Sequence, residues 1–449
     1  IETNDERDSY VLLTLSFFVL ATSFLFSKSL FITLYAGFAL VIITAAYVSF
    51  NQQISSKHAA KTAFVLLSQA LPLMLILFVF FPRLPPLWTL KMTEGSGKTG
   101  MSDNMSPGDL AKLSQSSELA FRVEFKDNKV PPKALLYWRG LTLSRFDGKT
   151  WRTSNSPWLD DYALTAWGQR SLPQWTETQI QIKENSQIQY KVILEPTDKS
   201  WLYALSVPYS NDNGIGLTRD FRLINSTPVF QRLTYNAIRF DAIALDPDLP
   251  DWLRQENLQL PVAGNPTARQ MARQWRMFYG SNEKYMTAVL RWFTKNQFYY
   301  TLEPPPLGDN RIDEFLFQTR RGFCEHYASS FTFLLRAAGI PARVVIGYQG
   351  GALSPTGDSW QVRQMDAHAW VEAWLPEKGW IKLDPTGAIA PERIERGMSD
   401  IAQDQAVWGD SAFSAMKYGN YKLLGQLRNM ADCLELASFK IVNIVCWDK

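Results

Sequence analysis

Cysteine and histidine are scarce in this chain, with three of each in 449 residues. Cys324, Cys433 and Cys446 are too few, and odd in number, for a disulfide framework, although Cys433 and Cys446 could pair in an oxidising compartment. No Cys-x-x-Cys or His-x-x-x-His pair is present, which argues against a structural zinc site. An excess of one charge is missing as well. The net charge is +3, the two signs are well mixed, and no basic face or acidic tail points to nucleic acid. In three places charge is absent altogether: residues 9–27, 29–56 and 62–82 contain no charged side chain.

A helix needs about 20 apolar residues to cross the hydrocarbon core, and each run approaches or exceeds that length. Transmembrane helices are therefore expected within residues 1–83, at about 10–27, 29–50 and 62–82. Pro72 inside the third run is better tolerated in a membrane than in water. A cleavable signal peptide accounts for one such run and not for three. Lys57 and Lys61 separate the second and third runs, against Lys28 alone between the first two. Positive-inside counting then puts the loop in the 50s in the cytoplasm and everything after Arg83 on the far side. Because the chain opens on Ile1, a longer N-terminus is expected upstream.

Residues 84–114 read as a linker, glycine- and serine-rich through MTEGSGKTGMSDNMSPGD (92–109). Its GSGKT is no phosphate loop, since Met92 stands where the first glycine belongs and no apolar strand precedes it. From 115 to 245 the period is two. Leu119, Phe121, Val123 and Phe125 alternate with mostly polar residues, YWRGLTLSRFDGKTW (137–151) suggests a hairpin turning near Asp147-Gly148, and 178–194 and 232–240 are strand-like. A β-rich, sandwich-like domain is expected there, serving as scaffold or recognition surface. Residues 250–395 begin with two amphipathic helices, NPTARQMARQWRMFYG and NEKYMTAVLRWFTKN, followed by the proline-broken FYYTLEPPP.

Chemistry concentrates after that point. In CEHYASSFTFLLRAAG the apolar positions Tyr327, Phe331, Leu334, Leu335 and Ala338 share one helical face, and Gly339 supplies a stop. Cys324 thus opens a helix, where unpaired N–H groups and the positive dipole end favour a thiolate. A buried structural thiol is the plainer reading. A nucleophile needs a base. His58 falls in a loop between membrane runs and His326 points away from Cys324 on the helix, which leaves His368 in the strand-like QVRQMDAHAWVEAW. A structural histidine among Trp360, Trp370 and Trp374 is the alternative. Asp384, at the end of GWIKLDPTG, could orient the imidazole. A four-residue turn at PEKG (376–379) pairs Asp384 with Val371 and points it away from His368, so a bulge or another turn length is needed; Asp366 is the fallback. Zinc held by Cys324, His326, His368 and a carboxylate is a competing chemistry.

GFCEHYA, LLRAAGIPARVVIGY (334–348), DAHAWVEAW (366–374) and GWIKLDPTG together resemble the bacterial transglutaminase-like superfamily. The charge-free runs followed by SPGDLAKLSQSSELAFRVEF (106–125) and YWRGLTLSRFDGKTW resemble its membrane-anchored, TgpA-like branch of protein-glutamine γ-glutamyltransferases. The resemblance implies an α+β fold: N-terminal transmembrane helices, the β-rich domain, and a papain-like transglutaminase core with the cysteine helix on an antiparallel sheet. It implies Cys324 as nucleophile, His368 as general base and acid, and Asp384 as orienting carboxylate. It further implies a multi-pass protein of the bacterial inner membrane with its catalytic domain in the periplasm. Relatives of that branch usually carry further spans at both ends, and the tail 396–449 has no assigned role.

The implied reaction joins a glutamine carboxamide of a protein or peptide substrate to an amine, or to water, through a thioester on Cys324. No cofactor or metal is expected, since nothing resembles an EF-hand calcium loop. The same three residues would also serve a cysteine peptidase or amidase acting on cell-envelope peptides. A membrane-tethered binding module without activity is the non-enzymatic alternative.

Overall fold

The computed structural model describes residues 6–26, 30–52, 54–80, 100–156, 159, 164–168, 170–354 and 357–398. GSGKT, Cys433, Cys446 and nearly all of the tail 396–449 lie outside the described residues. The chain divides into two units, Ile1–Gly95 and Ser96–Lys449.

The first unit forms three helices, Glu6–Phe26, Leu30–Gln52 and Ser56–Phe80. Small residues lie at their contacts, with Ala36, Ala59 and Ala63 buried, while Phe18, Tyr35, Phe38 and Phe64 are largely exposed. That distribution is the reverse of a water-soluble bundle. Hydroxyls are satisfied within the helices: Thr14 donates to the Tyr10 carbonyl and Thr44 to that of Leu40. Among the described residues one window, Tyr35–Gln52, is long and apolar enough to cross a membrane. The third helix begins at Ser56, so Lys57, His58 and Lys61 sit in its first turns and not in a loop.

In the second unit, the seven-stranded sheet runs in the order Ile180–Ile182, Ala242–Leu245, Gly379–Leu383, Ala367–Leu375, Ala342–Gln349, Tyr137–Leu143, Ala204–Leu205. A six-stranded sheet runs Pro208–Tyr209, Leu233–Arg239, Ile188–Leu194, Leu119–Phe125, Trp360–Arg363, Ala352–Leu353. Strands from before and after residue 250 interleave in both, so the two expected domains share one core. Tyr137–Leu143 explains why. Every residue in it is buried, which requires neighbours on both edges and cover on both faces, and Ala342–Gln349 provides one edge. The hairpin expected at Asp147-Gly148 does form, with Arg145–Phe146 paired to Trp151–Arg152.

The linker expectation fails from residue 100 onward. Asn104–Met105 is a short strand, Asp109–Leu113 a short helix, and Met101, Met105, Leu110 and Ala111 are buried. Scattered apolar residues among glycines and serines carry no periodic signal, yet each finds a place in the core. At the centre of the large sheet, Arg343 lies directly opposite Glu372, and Arg139 from the next strand bonds the same carboxylate. This buried cluster ties three adjacent strands together.

The cysteine helix, Cys324–Ala337, packs on the strands Ala367–Leu375 and Ala342–Gln349. It is buried on all sides from Cys324 to Arg336, and not only along its apolar stripe. Several of its polar groups are met internally: Trp151 Nε1 donates to Ser329 Oγ at 2.7 Å, and Arg336 donates to the Ala342 and Gln259 carbonyls. Gly339 (φ 80) provides the expected stop.

The hairpin carrying His368 and Asp384 depends on Gly379, which has φ 67 and lies where any Cβ would collide with the Leu245 carbonyl. Gly379→Ala is expected to destabilise the unit by at least about 2 kcal/mol, through a left-handed non-glycine residue and that collision. Thermal denaturation of wild type and variant measures it, and an unchanged midpoint would show that the turn is built differently.

Candidate active site

His368 sits near the start of the strand Ala367–Leu375, fully buried. The next strand, Gly379–Leu383, pairs with it in the register Leu375↔Gly379 to Val371↔Leu383. Pro376, Glu377 and Lys378 are therefore a three-residue turn, with Glu377 at φ 65 followed by the positive-φ Gly379. Compared with a four-residue turn, the register moves by one position, and Asp384 faces the same side as His368. No bulge interrupts this pairing. The parity difficulty disappears through turn length alone.

The result is a hydrogen bond of 2.8 Å between His368 Nε2 and Asp384 Oδ2. Asp384 accepts two more: the Tyr137 hydroxyl donates to Oδ2 at 2.7 Å and the Thr386 N–H to Oδ1 at 2.9 Å. Burial raises the carboxyl pKa, but His368, Tyr137 and Thr386 together hold it below the usual range, so it is ionised. An ionised carboxylate only accepts hydrogen bonds, so the imidazole proton is assigned to Nε2. Burial, opposed by Asp384, holds the His368 pKa below its ordinary value, and the ring is neutral at neutral pH. Nδ1 then carries a lone pair. It is buried and makes no hydrogen bond, as a base awaiting a proton would.

Cys324 opens its helix against this strand, fully buried, with the Ala369 N–H directed at its sulfur. Ala369 is the chain neighbour of His368, so the thiol meets the strand next to the residue that carries the imidazole. The expectation of a thiol activated by the helix terminus is not met. Burial first, then the Glu325 carboxylate, pushes the Cys324 thiol up, against the opposing pull of Arg393 and the Ala369 N–H. In the closed site burial favours the neutral thiol beside the neutral imidazole.

Asp366 is not the imidazole's partner; its carboxylate accepts the Arg363 N–H and holds the turn Gln364–Asp366. His326 Nδ1 accepts the Phe323 N–H, and burial pushes its pKa down to about 4, so it serves the helix start as a neutral ring. Among the described residues no three His, Cys, Asp or Glu side chains converge as a metal site.

Three contributors escaped the sequence reading. Tyr137 lies in the stretch read as scaffold and reaches Asp384 across 247 positions. Glu325 looks like a surface residue of a helix first turn, yet it is buried and accepts the Gly108 and Leu110 N–H groups at 2.5 and 2.7 Å. It thereby pins the start of Asp109–Leu113 beside the cysteine. Arg393, in the helix Pro391–Glu395, is buried and donates to Gln349 Oε1 at 2.7 Å and to the Asp366 and Ala367 carbonyls. No local pattern marks any of them; the aspartate-tyrosine contact and both buried charges exist only once distant segments meet.

Comparison with known proteins finds two family matches along the chain. Residues 1–241 match the TgpA N-terminal domain and residues 269–385 the transglutaminase-like superfamily. A protein-glutamine gamma-glutamyltransferase of Pseudomonas aeruginosa is 41% identical over 438 residues, covering 97% of this chain and 63% of that protein. The chain thus spans less than two thirds of this relative's length. An uncharacterised protein of Bacillus subtilis, YebA, is 34% identical over 136 residues, 29% of this chain and 18% of its own. The crystal structure of the periplasmic domain of TgpA from Pseudomonas aeruginosa superposes with a TM-score of 0.60 at 44% identity, covering 67% of this chain and 99% of that one.

With Cys433 and Cys446 replaced by serine, the rate of Cys324 alkylation against pH is expected to reach half its maximum above the pH found for free cysteine. A half-maximum below it would mean that the site activates the resting thiolate. Stability supplies an independent check. Burial pushes the Glu325 carboxyl up from 4.5 to about 8, so the native state holds a proton that the unfolded chain releases. Stability should therefore fall as pH rises towards 8. His326, pushed down from 6.5 to about 4, acts in the opposite direction below pH 6.5. Between pH 6.5 and 8 the melting temperature is expected to decline, and Glu325→Gln to flatten that slope; an equal slope in both proteins would rule Glu325 out as its source.

Proposed function

The chain belongs to the transglutaminase-like superfamily, in the branch that carries the TgpA N-terminal domain, and on that premise we propose that it is a membrane-anchored protein-glutamine γ-glutamyltransferase with the triad Cys324, His368 and Asp384. The observation that carries this reading is the His368–Asp384 pair, whose remaining ring nitrogen is buried and unbonded beside the cysteine helix.

The reaction proceeds by acyl transfer in two halves. His368 Nδ1 takes the Cys324 thiol proton as sulfur attacks the carboxamide carbon of a glutamine side chain. The resulting imidazolium is stabilised by the Asp384 carboxylate, which keeps its own proton count unchanged. Collapse of the tetrahedral intermediate expels ammonia, which leaves with the proton from His368, and a thioester remains on Cys324. An amine then attacks the thioester carbon and gives its proton to His368. Sulfur departs, recovers the proton, and the isopeptide product is released. Water in place of the amine yields glutamate. The raised thiol pKa suits this scheme, because proton transfer to His368 is coupled to attack and no exposed thiolate waits for oxidants.

The three N-terminal helices are proposed as membrane spans, supported by three charge-free runs, by small residues at helix contacts and by large apolar side chains facing outward. With three spans and the basic cluster at Lys57 and Lys61 in the cytoplasm, the catalytic unit lies on the extracytoplasmic side of a bacterial inner membrane.

The test uses the chain in detergent micelles with a glutamine-containing protein and a labelled primary amine, scoring amine incorporation and ammonia release separately. Cys324→Ala is expected to lower incorporation at least about 10³-fold with the melting temperature retained. Ammonia without incorporation would make the enzyme an amidase, peptide cleavage would make it a peptidase, and activity persisting in Cys324→Ala would remove the cysteine from the chemistry.

A further inference from the structure

Acyl transfer at a carboxamide builds negative charge on the carbonyl oxygen, and that oxyanion needs donors fixed in advance. The Cys324 N–H, first in its helix and without an intrahelical acceptor, is one. Tyr300 has the properties of the other. Its hydroxyl is buried, finds no hydrogen-bond partner of regular geometry, and faces the Cys324 sulfur. Against the sulfur it makes no hydrogen bond of regular geometry, so its proton is available to an oxygen bound there.

The position is held firmly. Tyr299–Tyr300 pairs in parallel with Arg321–Gly322, two residues before the cysteine. The Thr301 N–H donates to the Gly322 carbonyl at 2.9 Å, and the Tyr327 hydroxyl to the Tyr299 carbonyl at 2.9 Å. The Tyr300 ring lies 5.0 Å from that of Phe323, the residue preceding Cys324. Tyrosine and nucleophile are therefore held by two adjoining segments that are hydrogen-bonded to each other. Burial, followed by the nearby cysteine, raises the phenol pKa well above its usual value, which keeps the hydroxyl a protonated donor throughout the working pH range.

We propose that the Tyr300 hydroxyl is the second oxyanion donor, bonding the carbonyl oxygen of the glutamine carboxamide as it becomes tetrahedral on Cys324. The proposal rests on the acyl-transfer reading above and adds a catalytic residue to it. A hydroxyl beside the sulfur is within reach of an oxygen bound to the carbon that the sulfur attacks. The thioester passes through a second oxyanion when the amine adds, so the same donor serves both halves of the reaction.

Tyr300→Phe removes one oxygen and keeps the ring packing. Its kcat is expected to fall about 10²-fold with KM changed less than about threefold, since the bond strengthens only in the transition state. A peptide bearing an aldehyde in place of the glutamine carboxamide forms a thiohemiacetal with Cys324 and should bind about 10²-fold more weakly to the variant. Iodoacetamide alkylation, which forms no oxyanion, should keep its rate and pH midpoint in the same sample, and this also certifies the folded site. An unchanged kcat and aldehyde affinity would overturn the proposal. A raised alkylation midpoint, with kcat restored at alkaline pH, would make Tyr300 a thiolate stabiliser, and faster alkylation with higher kcat would make it a plug over the thiol. Cys324→Ala is assayed alongside: if it stays active, the acyl-transfer reading itself fails, whatever Tyr300 does.

Discussion

The Asp384 carboxylate is the point on which the site depends. Three donors from separate parts of the fold meet on it: the imidazole of the neighbouring strand, the phenol of Tyr137 two strands further across the sheet, and the N–H of Thr386 just beyond its own strand. A buried carboxylate is tolerable only when its oxygens are satisfied. Here that satisfaction fixes the carboxylate charge, and the charge in turn fixes the imidazole tautomer. The orientation of the imidazole therefore follows from folding itself. Because Tyr137 comes from the segment preceding the transglutaminase-like core, that segment takes part in the site and is no detachable scaffold.

Burial has a second consequence. Cys324, Glu325, His326 and His368 lie within or against one helix and one strand, and desolvation dominates the proton affinity of each. Each is pushed towards its neutral form, the thiol and carboxyl upward and the two imidazoles downward. Arg393 bonded to the His368 strand, Lys382 over the Tyr137 ring and the Asp384 carboxylate are charges that still polarise this dry interior. Such a dry site favours neutral side chains at rest.

The regular elements around the site were legible in the sequence because their signals are local. The apolar stripe from Tyr327 to Ala338, the glycine stop at 339, the two helices after residue 265 and the alternation in 119–125 each repeat within a few residues, and each element formed where expected. Scarcity sharpened the choice of base, since His368 was the one histidine left once position excluded His58 and His326. The linker and the domain boundary were misread for one shared reason. Whether Met101 or Leu110 is buried, and whether Tyr137–Leu143 is an edge or a centre strand, depends on partners hundreds of residues away in the chain.

By itself, then, the sequence determined which side chains were available for chemistry, and which short elements would carry them, because hydrophobic period and capping act over one or two turns. Only the tertiary structure decided how they meet. A turn shorter by one residue put Asp384 on the face of His368, a choice made by backbone geometry at Glu377 and Gly379 that alternation cannot express. Long-range packing brought Tyr137 to the aspartate and Tyr300 to the sulfur. The state of the thiol was likewise beyond the sequence: a helix N-terminus favours the thiolate and complete burial opposes it, and the balance depends on how much water the fold excludes.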